Sequence, residues 1–521
     1  MARAVCLRHE ALSFRRQAAD ADEQTGWERE SEPRLSAFIE QPLQLLFMAS
    51  LLHRRVQDVI IISDLHLAVD NQQPLFQADA QLAAFLNCVR EATPHTTLVL
   101  NGDILDFLAA SQAGEQIKAF DPLTAPTRTQ QIIAAHPLVF DALAKLRRFP
   151  QHELVILGGN HDPELALPAV RHVIEQHLGV SESHPRLTWL VHGEAAAFQI
   201  GPARVLVEHG DALDAWNYIK HGRLLSAIKR ATRGLDHTSE YTPPPGSHLV
   251  VNHLNAVRAD YPWVDMLKPE FDAVVPILHK FLPVEQQLKL LESLDPWLSL
   301  LGRTLKTHLN RFFTPASQFR ADSEAASEEY DSRMEFAEWV RQVQAPPARG
   351  QATATPEEEL IELLKKAAER CHFFQFGHDA EPRRFFGFTL PRAGQRFLEY
   401  LFTQGHDLIV HGHTHAAKAY PLRGGLYLNS GTWGQLMKLP APEAANWPQF
   451  CNELRAGRAE SFRRPTFVRV CAEAATDSTQ AALQEWQEDG TVHTHAAFRF
   501  SSLSRAWEAA PAPIGDSLCG N

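Results

Sequence analysis

Cysteine is scarce. Cys6, Cys88, Cys371, Cys451, Cys471 and Cys519 are the six in 521 residues, with no CxxC pair and no repeating short spacing. That excludes a disulfide framework and suggests a reducing, cytoplasmic setting. Long apolar runs are also missing. The longest near the start, residues 42–52, is about half of what a bilayer span needs. Glu40 and His53-Arg54-Arg55 bound it, and it begins too far into the chain for a signal peptide. A transmembrane segment is therefore not expected, although peripheral membrane contact is compatible with the composition. Nor is there a basic excess: 50 Lys and Arg face 62 Asp and Glu, a formal charge of −12. Bulk nucleic-acid binding is not expected of that balance, while a local basic pocket is still compatible with it. What is present, 45% hydrophobic and 21% charged residues, excludes wholesale disorder and a collagen-like chain. At about 150 residues per domain, the length suggests roughly three structural units.

Residues 1–54 read as a loosely packed N-terminal extension, dense in Arg, Glu and Gln, with an amphipathic helical pattern over 35–52. Met48 is an alternative start, because the organised pattern begins just after it. A core then runs over 55–213. Its apolar runs at 59–62, 97–100 and 154–157 are short, continuous and rich in branched residues, as expected of strands buried on both faces. Helical stretches at 76–91 and 128–148 separate them, and further strands are expected at 188–191 and 203–207. Alternating strands and helices imply an α/β core. Helical periodicity dominates 214–375, at 215–232, 272–313, 323–343 and 357–371, and marks an insertion that acts as a lid or an interaction subdomain. The core resumes over 376–505, with strands at 408–410, 418–421 and 426–428 and a β-rich tail at 466–471 and 491–500. Residues 506–521 form a C-terminal tail, and no repeat appears at solenoid periods.

Each expected core strand ends in residues that can hold a metal. The first gives Ser63-Asp64-Leu65-His66, the second Asn101-Gly102-Asp103, and the third Gly159-Asn160-His161-Asp162. The strand before the insertion ends in Glu208-His209-Gly210-Asp211, and the one after it in His411-Gly412-His413-Thr414-His415. Each motif alone is weak, since Gly-Asp is a common turn and paired histidines also decorate exposed strands. The ordered set, each member following an apolar β run, is specific. Loops at the carboxyl ends of strands in an open α/β sheet converge on one crevice, so five such ends describe one polynuclear site.

The order DxH, GDxxD, GNHD, HGD, GHTH resembles the calcineurin-like metallophosphoesterases over about 58–214 and 377–433. The resemblance implies a four-layer αββα core, an α/β sandwich of two sheets flanked by helices, here carrying a large helical insertion. It also implies two divalent metals. Asp64, His66 and His415 would hold the first, Asn160, His209 and His413 the second, and Asp103 would bridge them. His161 would sit over the substrate phosphate, oriented by Asp162. Carboxylate, amide and imidazole donors suit Mn, with Fe, Zn or Ni as alternatives, and no cysteine is placed to compete. Two such ions about 3.5–4 Å apart can activate a hydroxide and clamp both oxygens of an in-line displacement at phosphorus. His192 could compete with His209 but lacks the HGD context. His411 reads as a packed strand residue, and His378-Asp379 as a loop.

Protein serine/threonine phosphatases of this superfamily carry arginines after GD and GN, and this chain has Ile104 and His161 there. The motifs SDLHL, GDILDF, EHGD and Leu428-Asn429-Ser430-Gly431-Thr432-Trp433 are closer to UDP-2,3-diacylglucosamine hydrolases. Those enzymes cleave a pyrophosphate and place a helical lid after HGD, but the lid is far shorter and an arginine stands where this chain has His161. The expected function is therefore hydrolysis of a phosphodiester or phosphomonoester. A pyrophosphatase acting on a nucleotide-linked lipid or sugar is one alternative. A non-catalytic scaffold is another, though scaffolds on this fold typically lose ligands that are present here. A lid of this size fits a bulky or lipid-linked substrate. Lys220 and Arg223, with Lys229, Arg230 and Arg233, follow the HGD motif on one helical pattern and could recruit an anion, although such a row is most often a solvated face.

Overall fold

In the computed structural model the described residues are 54–268 and 398–511, apart from short stretches within each. The helices expected at 272–313, 323–343 and 357–371, the segment 35–52, the alternative start at Met48, and His378-Asp379 lie outside them. Of two compact units, Met1–Met48 and Ala49–Asn521, only the second contains described residues.

The chain enters through β1 (Arg54–Val56) and β2 (Asp58–Ile62), then α1 (Asp79–Ala92) and β3 (Thr96–Asn101). Helices α2 (Ala125–Ala135) and α3 (Pro137–Arg148) lead to β4 (Glu153–Leu157), and α4 (Pro168–Leu178) to β5 (Leu187–Leu190). A hairpin of β6 (Ala196–Ile200) and β7 (Ala203–Val207) follows. After it come α5 (His221–Ala231), α6 (Pro245–Leu249) and β8 (Leu267–Lys268). The second part contributes β9 (Leu408–His411), β10 (Lys418–Leu422), β11 (Gly425–Asn429), β12 (Gln435–Lys438) and α7 (Trp447–Arg455). It ends with β13 (Phe462–Arg463), β14 (Thr466–Glu473), β15 (Ser478–Trp486), β16 (Val492–Ser501) and β17 (Trp507–Ala509).

Two large sheets face each other. One runs β17-β16-β15-β14-β2-β3-β4-β5, and the other β1-β6-β7-β9-β11-β10. The continuous apolar runs have a direct explanation. Successive strand side chains point to opposite faces. Val59, Ile61, Val99, Val155 and Leu157 enter the core between the sheets. Ile60, Ile62, Leu98, Leu100, Leu154 and Ile156 enter a second core under the helices. Fully burying each such side chain contributes about 1.5–3 kcal/mol. In that second core Phe85 of α1 packs its ring against Trp433, Phe467 and Trp486 at 4.9–5.5 Å, tying the first part of the chain to the last.

Three expectations differ from the structure. The single helix expected at 128–148 is two helices, because Pro137 has no N–H to donate and disfavours helical geometry at His136. His136 turns inward there and bonds Asp79 and the Ala68 carbonyl at 2.8 and 3.0 Å. Strand β6 was not expected, since Ala195-Ala196-Ala197 has low strand propensity. It forms by pairing with β7 across the Gly201 turn. The helix expected at 215–232 begins only at His221. Among the described residues Cys451 and Cys471 are free. Among the described residues no helix is long and apolar enough to cross a membrane.

Candidate metal centre

Strands β2, β3 and β4 lie side by side and parallel in one sheet, and β7 and β9 do so in the other. All five therefore deliver their carboxyl ends to one edge of the sandwich. The turns leaving them are unusual. Seven described residues other than glycine have positive φ, and five are Asp64, His66, Asp103, His413 and His415. That backbone region is costly for side-chain-bearing residues and persists where the surroundings impose it. Glycines leave the room required. A Cβ on Gly102, which has φ +79°, would lie 2.3 Å from the His209 ring, and one on Gly412 would lie 2.5 Å from Asp64 Oδ2.

Three groups of donors result: one is His66, Asp106 and His161, and the other two hold the residues expected from the sequence. Asp64, His66 and His415 place one ligand atom each within 4.8 Å of one another, as do Asp103, His209 and His413. In the first, His66 Nε2 and His415 Nε2 are 2.9 Å apart, and His415 Nε2 is 3.5 Å from Asp64 Oδ1. In the second, His209 Nε2 lies 3.3 Å from Asp103 Oδ2 and 3.2 Å from Asn160 Oδ1. Asp103 also joins the two, its Oδ2 being 3.8 Å from His66 Nε2. All the ligand candidates read from the sequence are thus brought together.

His161 also reaches the site, its ring edge-on to His66 at 4.6 Å between centroids. Its orientation departs from expectation. Nδ1 faces Asp106 Oδ1 at 3.3 Å. Asp162 instead accepts backbone N–H groups: Gly159 at 2.6 Å on one oxygen, and Ile104 at 2.7 Å and Leu105 at 3.3 Å on the other. Asp162 is therefore a tie between the β3 and β4 loops, and the carboxylate that meets the His161 ring is that of Asp106. Sequence reasoning passed over Asp106 although GDxxD contains it.

Further residues brace the ligand candidates. Asn101 carries the His209 Nδ1–H on its carbonyl at 2.9 Å, which directs Nε2 toward Asp103 and Asn160. Asp214 Oδ2 meets His413 Nε2 at 3.0 Å. Asn429 donates to the Gly412 carbonyl at 2.6 Å, and Thr432 to the Asp64 carbonyl at 2.7 Å, giving the LNSGTW segment a structural role.

The charges follow from this packing. Burial alone would raise the Asp103 pKa, but the His209 and His161 rings hold it well below the usual carboxylate range. Burial opposes a charge on His209, yet Asp103 and Asp64 raise its pKa well above the ordinary imidazole value. Asp64 is raised, chiefly by burial. Burial and the neighbouring Asp103 push Asp162 up to about 7.

Other candidates fall elsewhere. His192 lies beside Glu194, Arg171 and Lys229. His411 packs in β9 against Glu208 at 2.8 Å and the Tyr427 ring. Lys220 and Arg223 are exposed, because α5 turns Leu224, Ala227 and Ile228 inward. Neither lines the cleft over the cluster, so neither is placed to bind substrate there. The cation lining that cleft is Arg258, which sequence reasoning did not single out.

The donor set suits divalent metals. It combines carboxylate, amide oxygen and imidazole without thiolate. His413 Nδ1 is buried with no hydrogen-bond partner among the described residues, a costly state that a cation would relieve.

Residues 58–265 match the model of the calcineurin-like phosphoesterase family. No curated protein matches the chain. Among solved structures, a single-substitution variant of Vps29 from Entamoeba histolytica is similar at 14% identity with a TM-score of 0.14. That match covers 24% of this chain and 53% of the other. The described core is an α/β sandwich of mixed parallel and antiparallel sheets with helices, and the matched residues lie within it.

Proposed function

We propose that this protein is a metal-dependent phosphoesterase working with two divalent ions. Asp64, His66 and His415 hold one ion, Asn160, His209 and His413 the other, and Asp103 is shared. The observation that carries this reading is the position of Asp103, whose Oδ2 lies 3.3 Å from His209 Nε2 and 3.8 Å from His66 Nε2. Divalent ions held by these residues would supply a water of lowered pKa and offset charge on phosphoryl oxygens. The protein's own residues do the rest. His161, steadied through Nδ1 by Asp106, donates a proton from Nε2 to the departing ester oxygen. Asp162 holds the β3 and β4 loops in register so that His161 and Asp103 keep their spacing. Manganese is the first choice of metal, and iron, zinc or nickel suit the same donors. On this reading the core is divided between 55–213 and 376–505, with 214–375 inserted as a lid or an interaction subdomain, and the location is cytoplasmic.

Hydrolysis of bis(p-nitrophenyl) phosphate and p-nitrophenyl phosphate tests this, with and without Mn²⁺, in the native chain and Asp103→Asn. Turnover that needs metal and disappears in the variant supports the reading. No turnover of either ester, or of a UDP-linked pyrophosphate, by a metal-loaded chain would point to a scaffold on the same fold.

A further inference from the structure

Above the metal centre lies a cleft open to solvent, with a cavity volume of about 90 Å³. His66, His161 and His415 line its floor. Its walls are of two kinds. One is aliphatic: Leu75 with Val250 and Leu254. Val250 and Leu254 belong to a π-helical turn, Val250–Leu254, that continues α6, and Gly246 lies one further turn back on the same face. The other wall is a charge pair, Arg258 and Asp265.

Arg258 is firmly held. It is only 8% exposed. Its Nε donates to Asp265 and its Nη1 to Asn255. Asn255 is fixed in turn by the Ala110 N–H at 3.1 Å and the Leu108 carbonyl at 2.9 Å. Those residues follow Asp106, which accepts the Leu108 and Ala109 N–H groups at 3.0 Å each. One hydrogen-bonded path therefore runs from the guanidinium to the carboxylate that steadies His161. The Arg258 Nη2 makes no hydrogen bond to a described residue. Nη2 is not a buried unpartnered atom, so its N–H groups reach water at the cleft, which a bound acceptor can replace.

We infer that this cleft selects a singly charged phosphodiester with one apolar ester arm. The Arg258 Nη2 edge binds a non-reacting phosphoryl oxygen, the Leu75–Val250–Leu254 wall receives the arm, and Asp265 disfavours a second negative charge. The inference deepens the phosphoesterase reading and rests on it. Paired with Asp265, Arg258 offers directed N–H groups but little net positive charge, so it favours geometry over charge. A phosphomonoester carries nearly two charges at neutral pH, since its second pKa is about 6. The extra charge would face Asp265. An aliphatic wall gains nothing from a free phosphate edge, but it gains from removing an apolar arm from water.

The test compares three p-nitrophenyl esters on the Mn²⁺-loaded full chain: bis(p-nitrophenyl) phosphate, methyl p-nitrophenyl phosphate and p-nitrophenyl phosphate. The expected order of kcat/KM is the one just given, first for the larger apolar arm and then for the single charge. Arg258→Met is expected to weaken diphenyl phosphate binding, measured by calorimetry, by roughly tenfold or more with bound metal unchanged. Asp265→Asn is expected to narrow the gap between monoester and diester. A native chain that prefers the monoester, or a UDP-linked pyrophosphate, overturns the inference but leaves the phosphoesterase reading intact. So does an Arg258→Met variant that binds diphenyl phosphate as the native chain does. If neither the native chain nor any variant hydrolyses an ester although metal is bound, the phosphoesterase reading itself fails. The comparison of esters on the native chain decides the matter even if a variant does not fold.

Discussion

His161 Nδ1 lies 3.3 Å from Asp106 Oδ1, and that same oxygen accepts the backbone N–H groups of Leu108 and Ala109. The carboxylate is thus fixed by its own loop before it meets the imidazole. Burial alone would raise the Asp106 pKa, but the His161 and His66 rings hold it well below the usual range.

Asp106→Asn keeps the size of this side chain and removes its charge. The proton on His161 Nδ1 loses its charged acceptor, and the ring its preferred tautomer. The expected result is a fall in kcat of about 10- to 100-fold, with KM changing much less. Steady-state kinetics beside metal analysis check this. An unchanged kcat would remove Asp106 from the account of His161.

Gly102 gives a sharper steric test. It has φ +79°, and a Cβ there would lie 2.3 Å from His209 Nδ1. Gly102→Ala is expected to displace the His209 ring from the Asn101 carbonyl and weaken metal binding, while the apolar core is untouched. Calorimetric Mn²⁺ titration should show the loss, and circular dichroism a retained fold.

Glu164 makes stability depend on pH in an unusual direction. Burial, reinforced by nearby Asp162 and opposed by Arg128 and the Asp121 N–H, raises its pKa to about 8 from 4.5. Below pH 4.5 the group is protonated in folded and unfolded chains alike. As pH rises from there, the unfolded chain ionises while the folded chain keeps its proton, so stability falls until about pH 8 and then levels. Glu164→Gln removes this term. The variant should gain on the native chain from pH 5 to pH 8, by on the order of a few kcal/mol. Urea unfolding at the two pH values measures it, and an equal difference at both would contradict it.

The clustered residues were legible because parallel strands buried on both faces leave continuous apolar runs. Such a run shows where a strand ends, and the polar residue after it falls at the sheet's edge. Asp106, Asp214 and Arg258 left no comparable signal. Asp106 sits two residues past Ile104, in a loop whose path depends on the Asp162 tie. Asp214 meets His413 only once β7 and β9 pair. Arg258 lies among residues without a clear periodic face, whereas Lys220 and Arg223 drew attention by nearness in sequence. Their exposure is decided by the inward face of α5. In the fold, the alanine-rich β6 hid for want of propensity, while the break at Pro137 was readable from Pro137 itself.

The central claim is that one carboxylate, Asp103, is shared by two cations that together support phosphoester hydrolysis. It is tested most directly by titrating Mn²⁺ into the metal-free chain while following the heat of binding and bis(p-nitrophenyl) phosphate hydrolysis together. The expected result is two bound ions per chain, with hydrolysis appearing as the second site fills, and loss of both signals in Asp103→Asn. Saturation at a single ion with full activity, or activity that survives Asp103→Asn, would contradict it.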